Sequence, residues 1–428
     1  MPVLRIALLT YCTLPRGEVV HTLALAEALA RAGHEVSVWA LAPVNGAPAG
    51  ESASASEIAG ASESASDETL GGEPGFFRTV DPAVQVQVIA VPVVEAENAE
   101  SRVQRSIALL AEAFAASLAE SPTGYDIVHA QDCLTENAVP GRIRTVHHLD
   151  HFSSPEMAAR HERGLLEPSG LICVSAGVAA EVAAGWGRDA EVIPNGVDAA
   201  RFRAAAGDDP GAAEERRYWT DRFGDFVLTV GGIEPRKGTL ELVRAMARVR
   251  RRRPGTRLVI AGGDTHADYQ EYRRDVDALA TRLRIEPEVL GSVEHARLPS
   301  LVAAAGAFAF PSVREEFGQA AMEALAAGVP VVTRDLPAFR KVFGDVVRLA
   351  DAGDGSSGDI AAGLAAQIVA ALEAPTSPSA PAADGETATL REAGQAFAGR
   401  HSWDDTATAY VALYRRWISE GRPVGLHR

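Results

Sequence analysis

FPSVREEFGQAAMEALAAGVPVVT, running from Phe310 to Thr333, passes from the end of an apolar strand through an acidic loop into a helix and out into another strand. Ala307 to Phe310 is apolar and stops at Pro311-Ser312, so a buried strand ends there and the residues after it lie at its carboxyl end. Open α/β sheets bind ligands at that end. From Phe317 or Gly318 the run Gln319 to Ala327 is rich in strong helix formers, and Gly328 followed by Val329-Pro330 stops it. Glu315 therefore falls in the loop before the helix and Glu323 inside it, about two turns on. Two carboxylates so spaced can face one cavity at a helix N-terminus, where free amides and the helix dipole favour an anion. Taken singly, Glu315 and Glu316 are also what an ordinary first turn carries, and Glu323 an ordinary solvated acid.

The sequence before this stretch repeats the same grammar. Phe226 to Val230 reads as a strand, followed by Gly231-Gly232-Ile233-Glu234-Pro235-Arg236-Lys237-Gly238 and a helix from about Thr239. A glycine pair and two cations ahead of a helix N-terminus suit a diphosphate, although a plain surface Arg-Lys pair reads the same way. Arg257 to Ala261 is a further strand, ending in the tight turn Gly262-Gly263-Asp264. A helix from about Ala296 precedes the central stretch, and a short helix and a strand Val346 to Leu349 follow it. Asp351 to Gly358 and Ala374 to Gly385 read as linkers. The arginines at 248 and 250–253 stand where a helix ends before Pro254-Gly255. They compensate its dipole or, as the alternative, form a patch for anionic lipid.

The first half opens with a strand Val3 to Thr10, a helix with Val19, Leu23, Ala26 and Ala30 on one face, and a strand Glu35 to Leu41. This is a βαβ unit, which implies a parallel sheet. The intervening loop has no G-x-G-x-x-G, so no nicotinamide site is signalled. Residues 42–75 are rich in Ala, Ser, Gly and Glu without periodicity and read as a disordered insert. A strand from Val84 to Ala90, a helix from about Ser101 to Ala119 and a strand Asp126 to Ala130 follow. The strand from Ile143 ends in His147-His148-Leu149-Asp150-His151, a surface histidine cluster or a zinc site by residue type alone. After the strand Leu171 to Ser175, Ile193-Pro194-Asn195-Gly196-Val197-Asp198 breaks the chain at a Pro and an Asn-Gly turn. The tail from His401 carries an apolar helical stripe through Tyr410, Leu413, Tyr414 and Trp417.

The length of 428 residues suits two domains, and 57 acidic against 41 basic residues, a net charge of -16, argues against nucleic acid as main partner. Cys12, Cys133 and Cys173 have no metal-type spacing and read as free thiols in a reducing compartment. No signal peptide or stretch of 18 apolar residues is present, so a cytoplasmic protein with at most peripheral membrane contact is expected.

Glu315 and Glu323 with seven residues between them, followed by A-x-A-A-G-V-P-V-V, together with I-P-N-G-V-D and Phe202, resemble the family 4 retaining GT-B glycosyltransferases (glycosyl transferases group 1). The resemblance implies a GT-B fold of the α/β class: two Rossmann-like doubly wound parallel-sheet domains facing a central cleft, with a C-terminal helix crossing back to the first. The implied domains are 1–200 on the acceptor side, 218–400 for the nucleotide sugar, and 401–428 packed on the first. It implies sugar transfer from a UDP-, GDP- or ADP-sugar to a glycan, lipid or small metabolite, with retention, no metal and no further cofactor. Glu315 would bind sugar hydroxyls, His147 the sugar's far hydroxyl, Lys237 the diphosphate and Glu323 the ribose. The amides around Phe317 and Gly318 and the turns at Gly232 and Gly262 would surround the donor, and the loop Thr13 to His21, with Arg16 and Gly17, is similar to the family's G-G-x-x-x-H loop that closes over the diphosphate and acceptor. Two positions depart from the family pattern: Arg16 stands where glycine is usual and Gly232 where arginine is usual, with Arg236 the implied replacement for that charge. The alternatives are an epimerase or hydrolase on the GT-B scaffold, and a non-catalytic nucleotide-sugar-binding protein.

Overall fold

The computed structural model describes residues 2–44, 75–94, 97–120, 123–149, 154–262, 269–315, 317–351, 353, 355–373 and 385–426. Nearly all of the segment 42–75, the linker from Ala374 up to Gly385, and Glu316, Asp150, His151, Gly263 and Asp264 lie outside the described residues.

In chain order the first elements are β1 (Arg5–Thr10), α1 (Gly17–Arg31), β2 (Glu35–Val44), β3 (Val84–Pro92), α2 (Ala99–Glu120), β4 (Ile127–Ala130), α3 (Cys133–Ala138), β5 (Ile143–Val146), α4 (Pro155–Leu166), β6 (Gly170–Cys173), α5 (Ala176–Trp186) and β7 (Glu191–Val192). Next come α6 (Ala199–Ala206), α7 (Pro210–Phe223), β8 (Phe226–Gly231), α8 (Thr239–Arg252), β9 (Arg257–Gly262), α9 (Gln270–Leu283), β10 (Glu288–Val289), α10 (Leu298–Ala304) and β11 (Ala307–Phe310). The chain closes with α11 (Gln319–Ala326), β12 (Val331–Arg334), α12 (Pro337–Phe343), β13 (Arg348–Ala350), α13 (Ser357–Glu373), α14 (Gly385–Gly399) and α15 (Trp403–Ser419). Two compact units result: Met1–Gly196 with Trp403–Arg428, and Val197–Ser402.

Each unit holds one parallel sheet. The order is β3-β2-β1-β4-β5-β6-β7 in the first and β10-β9-β8-β11-β12-β13 in the second. Strands such as RIALLT, IVHA and AFAF are buried almost throughout because helices cover both faces, which parallel crossovers require. The order reverses between β1 and β4 in one sheet and between β8 and β11 in the other, and those are the places where a crevice opens at the strands' carboxyl ends.

In the first unit α15 lies on the same sheet face as α1, its Tyr410, Tyr414 and Trp417 buried among Leu8, Val19, Leu23 and Ile172. Gly170 is required beneath it, since a Cβ there would stand 2.5 Å from the Trp417 ring. Trp417→Ala should destabilise this unit by about 3–5 kcal/mol, the usual cost of removing a buried large aromatic. Urea unfolding followed in each unit should show the loss in the first and leave the second unmoved.

The second unit has two cores. One joins Phe308, Phe310, Leu325, Phe339 and Phe343; the other joins α8 and α13 to the opposite sheet face. The chain changes unit at Gly196/Val197, so residues 197–200 and the pair α6 and α7 belong to the second unit, where Trp219 Nε1 donates to Ser300 Oγ at 3.0 Å. Three expectations on element bounds are corrected. The last strand runs Arg348–Ala350 rather than Val346 to Leu349, and α10 starts at Leu298 rather than Ala296. The stretch Asp351 to Gly358 is only partly linker, because Ser356 caps α13: its Oγ accepts from Asp359 N at 3.2 Å. Serine and aspartate that suit a loop suit a helix start equally well.

Candidate functional site

In the second unit, β8 leads through Gly232 and Ile233 into a single 3-10 turn, Pro235–Lys237, and then through Gly238 into α8. Gly238 has φ +68 and a Cβ there would fall on the Pro311 carbonyl, so the turn after β8 packs backbone to backbone on the loop after β11. Val313 N donates to Arg236 O at 2.8 Å and binds the two loops together. Gly318, at φ +78, caps α11; a Cβ would meet Phe343 Cζ at 2.7 Å.

This backbone brings Lys237 and Glu315, 78 residues apart, into contact: Lys237 Nζ donates to Glu315 Oε2 at 2.7 Å. Arg236 is held by Glu234, Nε to Oε2 at 2.8 Å, and its NH1 stands 3.9 Å from the same Glu315 oxygen. Lys237 also lies 6.0 Å over the Phe310 ring. Two cations and two carboxylates thus form one group at the β8/β11 reversal, its net charge zero. Lys237 and Glu315 are mostly covered, whereas half of the Arg236 side chain faces solvent.

Glu323 stands in α11, where its Oε1 accepts from Gln319 Nε2 at 3.4 Å. Burial pushes its carboxyl up to about 7, against smaller opposing effects from Gln319 and Arg201. It is therefore no solvated surface acid. Phe317 is buried, with its ring 6.2 Å from His401. Gly262 ends β9, its N–H donating to Gly291 O at 2.7 Å, and Gly232 lies where β8 ends.

In the first unit Arg16 occupies the N-cap of α1 and Gly17 its first position, with open space where a Cβ would project from Gly17. β5 stops at Val146, so His147 and His148 lie beyond the strand rather than on it. His148 reaches Glu18 at 3.8 Å. His147 turns to His21 instead, ring centroids 4.7 Å apart and edge-on. Its Nε2 is buried without a hydrogen-bond partner, and burial, followed by the neighbouring His21, His148, His129 and Arg144, holds its pKa well below the usual imidazole value. A neutral imidazole with an unspent nitrogen suits a hydroxyl ligand. Among the described residues no group of three or more His, Cys, Asp or Glu is arranged to hold a metal ion.

Glu234 is the polar residue here that sequence reasoning gave no role, being visible only as a charge beside Arg236. His21 was legible as the last residue of a loop resembling the family's G-G-x-x-x-H and Asn195 as half of an Asn-Gly turn, but that the two side chains meet was not.

Two parallel, doubly wound units, with a cation–carboxylate group at the reversal of the second sheet, define the GT-B architecture. The model of Glycosyltransferase Family 4 matches residues 15–201, and that of Glycosyl transferases group 1 matches residues 221–368. The chain is 30% identical over 321 residues, 70% of this chain and 76% of the relative, to the phosphatidyl-myo-inositol mannosyltransferase of Mycobacterium tuberculosis. It is 32% identical over 253 residues to glycogen synthase of the same species, covering 58% of this chain and 54% of that one. Among solved structures, sucrose-phosphate synthase from Thermosynechococcus elongatus superposes with a TM-score of 0.70 at 19% identity, covering 97% of this chain and 100% of that one. HepE from Anabaena, solved with UDP and glucose, gives 0.65 at 18% identity, covering 96% and 100%. The protein belongs to the family 4, group 1 glycosyltransferases.

No helix among the described residues is long and apolar enough to cross a membrane. Cys12, Cys133 and Cys173 are buried free thiols.

Proposed function

We propose that the protein transfers a glycosyl group from a nucleoside-diphosphate sugar to a hydroxyl of a glycan, lipid or small metabolite, with retention at the anomeric carbon and without a metal. The observation that carries this reading is the Lys237–Glu315–Arg236 group at the β8/β11 reversal, a seat with cations for a diphosphate and a carboxylate for sugar hydroxyls. As the bond from the anomeric carbon to the diphosphate breaks, its electron pair goes to the phosphate oxygen. Lys237, Arg236 and the amides around Phe317 and Gly318 stabilise the charge that builds there. The acceptor oxygen bonds to the same face of the sugar, and its proton passes to the leaving phosphate oxygen, so no protein carboxylate need act as acid or nucleophile. His147, with its unspent Nε2, is assigned to the sugar's far hydroxyl, and Arg16 and Gly17 to donor binding. Gly232 and Gly262 form the turns beside the phosphates, and at Gly262 a Cβ would fall 2.6 Å from the Gly231 carbonyl oxygen. The free thiols fit a reducing cytoplasm.

Glu323 accepts from the two ribose hydroxyls. Removing both bonds in Glu323→Ala should weaken nucleoside-diphosphate binding about tenfold or more. The carboxyl must be ionised to accept twice, and its pKa in the free protein is about 7. Affinity should therefore fall as pH drops from about 8 to 6. The sign for stability is opposite: with a folded pKa raised from 4.5 to about 7, the group contributes stability that is present at low pH and lost as pH rises through 7.

Calorimetric titration with UDP, GDP and ADP, with and without magnesium, tests the reading. Micromolar binding of one nucleotide, independent of metal and lost in Glu323→Ala, supports it and names the donor class. If none of the three binds, the transferase reading of this site is lost.

A further inference from the structure

The first unit buries a row of polar side chains that the proposed reaction leaves unused. Tyr414 Oη lies 2.7 Å from His129 Nδ1, and His129 Nε2 lies 2.8 Å from Thr145 Oγ1. Thr145 Oγ1 is 3.3 Å from Tyr410 Oη, Tyr410 Oη is 3.5 Å from His21 Nε2, and His21 Nδ1 is 2.9 Å from Asn195 Oδ1. Burying six polar groups under two helices is costly unless each finds a partner, and along this chain each does. Its far end is Asn195, one residue before the last residue of this unit's first segment. Trp403, where the chain re-enters, packs its ring 5.3 Å from His21.

His21 is thus fixed at both nitrogens. With Asn195 Oδ1 accepting, Nδ1 carries the proton and Nε2 the lone pair, which the Tyr410 hydroxyl faces. A pKa pushed down to about 4 by burial keeps the ring neutral. His147 contrasts with it. Its Nε2 is buried without a partner, so nothing at that nitrogen fixes the ring, and the edge-on His21 ring at 4.7 Å is the wall against which it rests. An imidazole that must meet a hydroxyl through an unspent nitrogen needs its angle set from behind, because small misplacements of reacting groups are costly in rate.

We infer that His21 is a positioning residue for His147: Asn195 and Tyr410 lock the His21 ring, and that ring sets the angle at which His147 presents Nε2 to the sugar. The inference rests on the reading of His147 as the sugar-side histidine. It also ties that histidine, through side chains alone, to the two segments where the chain leaves and re-enters this unit.

His21→Asn separates positioning from scaffolding. The Asn side chain places an amide N–H where Nδ1 stood and keeps the bond to Asn195, but removes the ring from beside His147. The expected result is a folded protein with unchanged nucleoside-diphosphate affinity. Its turnover, read as nucleoside diphosphate released from the donor that titration identifies, is lowered about tenfold to a hundredfold. The double variant His21→Asn/His147→Ala should be no slower than His147→Ala alone, since one residue acts through the other. Wild-type turnover in His21→Asn, or additive losses in the double variant, would overturn the inference. If His147→Ala itself loses nothing, the reading of His147 falls instead, and the two failures are told apart by that one variant. Side-chain NMR of the ligand-free protein gives a readout without any donor. In His21→Asn the His147 ring should titrate closer to the ordinary value of about 6.5, and an unmoved titration would mean that the two rings do not act on one another.

Discussion

Lys237→Ala is expected to lower turnover by roughly a hundredfold or more, the scale of losing one pre-placed donor to a developing oxyanion. The ammonium is held from several directions at once: its stem lies along Gly231, the Phe310 ring stands 6.0 Å below it, and Glu315 accepts at 2.7 Å. A charge so fixed needs no reorganisation when the diphosphate gains charge. Arg236 cannot replace it, because half its side chain is in solvent and Glu234 already holds its Nε. Lys237→Arg is the informative companion. It keeps the charge but puts a planar fork where a point charge fitted, and should recover only part of the loss. Steady-state rates with the identified donor decide the matter, and near-normal activity in Lys237→Ala would remove this residue from the diphosphate seat.

The parts of the fold that were legible in the sequence are those with a strong local period. Phe310 to Thr333 gave the end of β11, the loop, α11 and β12 because an apolar run, a helix-forming run and Gly328 follow one another without ambiguity. The pair α6 and α7 was not legible, since PGAAEERRYWTDRF carries a run of charges in its middle and buries only Trp219 and Phe223. Site residues were legible one by one as types in a pattern, but not as a group. That Lys237 and Glu315 share a bond depends on the β8–β11 pairing, a contact 78 residues long that no local window contains. Nor does the sequence say that Glu323 is partly covered: a glutamate in a helix of alanines reads the same whether it faces water or core, and desolvation raises its pKa to about 7. His21 shows the limit most plainly, because its partners Asn195 and Tyr410 come from the two far segments of the first unit.

Glu315→Gln should move binding and turnover in opposite directions. In the structure one Glu315 oxygen lies 2.7 Å from Lys237 and 3.9 Å from Arg236, the two cations that the diphosphate is proposed to use. A nucleoside diphosphate without its sugar meets that carboxylate as a competitor for the cations and as a like charge. At about 4 Å such a charge is worth between ~1 kcal/mol in water and ~4 kcal/mol at an effective dielectric of 20, and ~1.4 kcal/mol is tenfold in affinity. Glutamine keeps the shape and removes the charge, so the free nucleoside diphosphate should bind about tenfold more tightly. Turnover should nonetheless fall by roughly a hundredfold, because one of the two charged acceptor oxygens that place the sugar's reacting carbon becomes an amide donor and the other loses its charge. A Glu315 that merely propped Lys237 upright would behave differently: loosening the lysine would weaken nucleotide binding and turnover together. Calorimetry and rate measurements on this single variant therefore separate a carboxylate that competes for the seat until the sugar arrives from one that only supports it. Weaker nucleotide binding in Glu315→Gln would assign the supporting role.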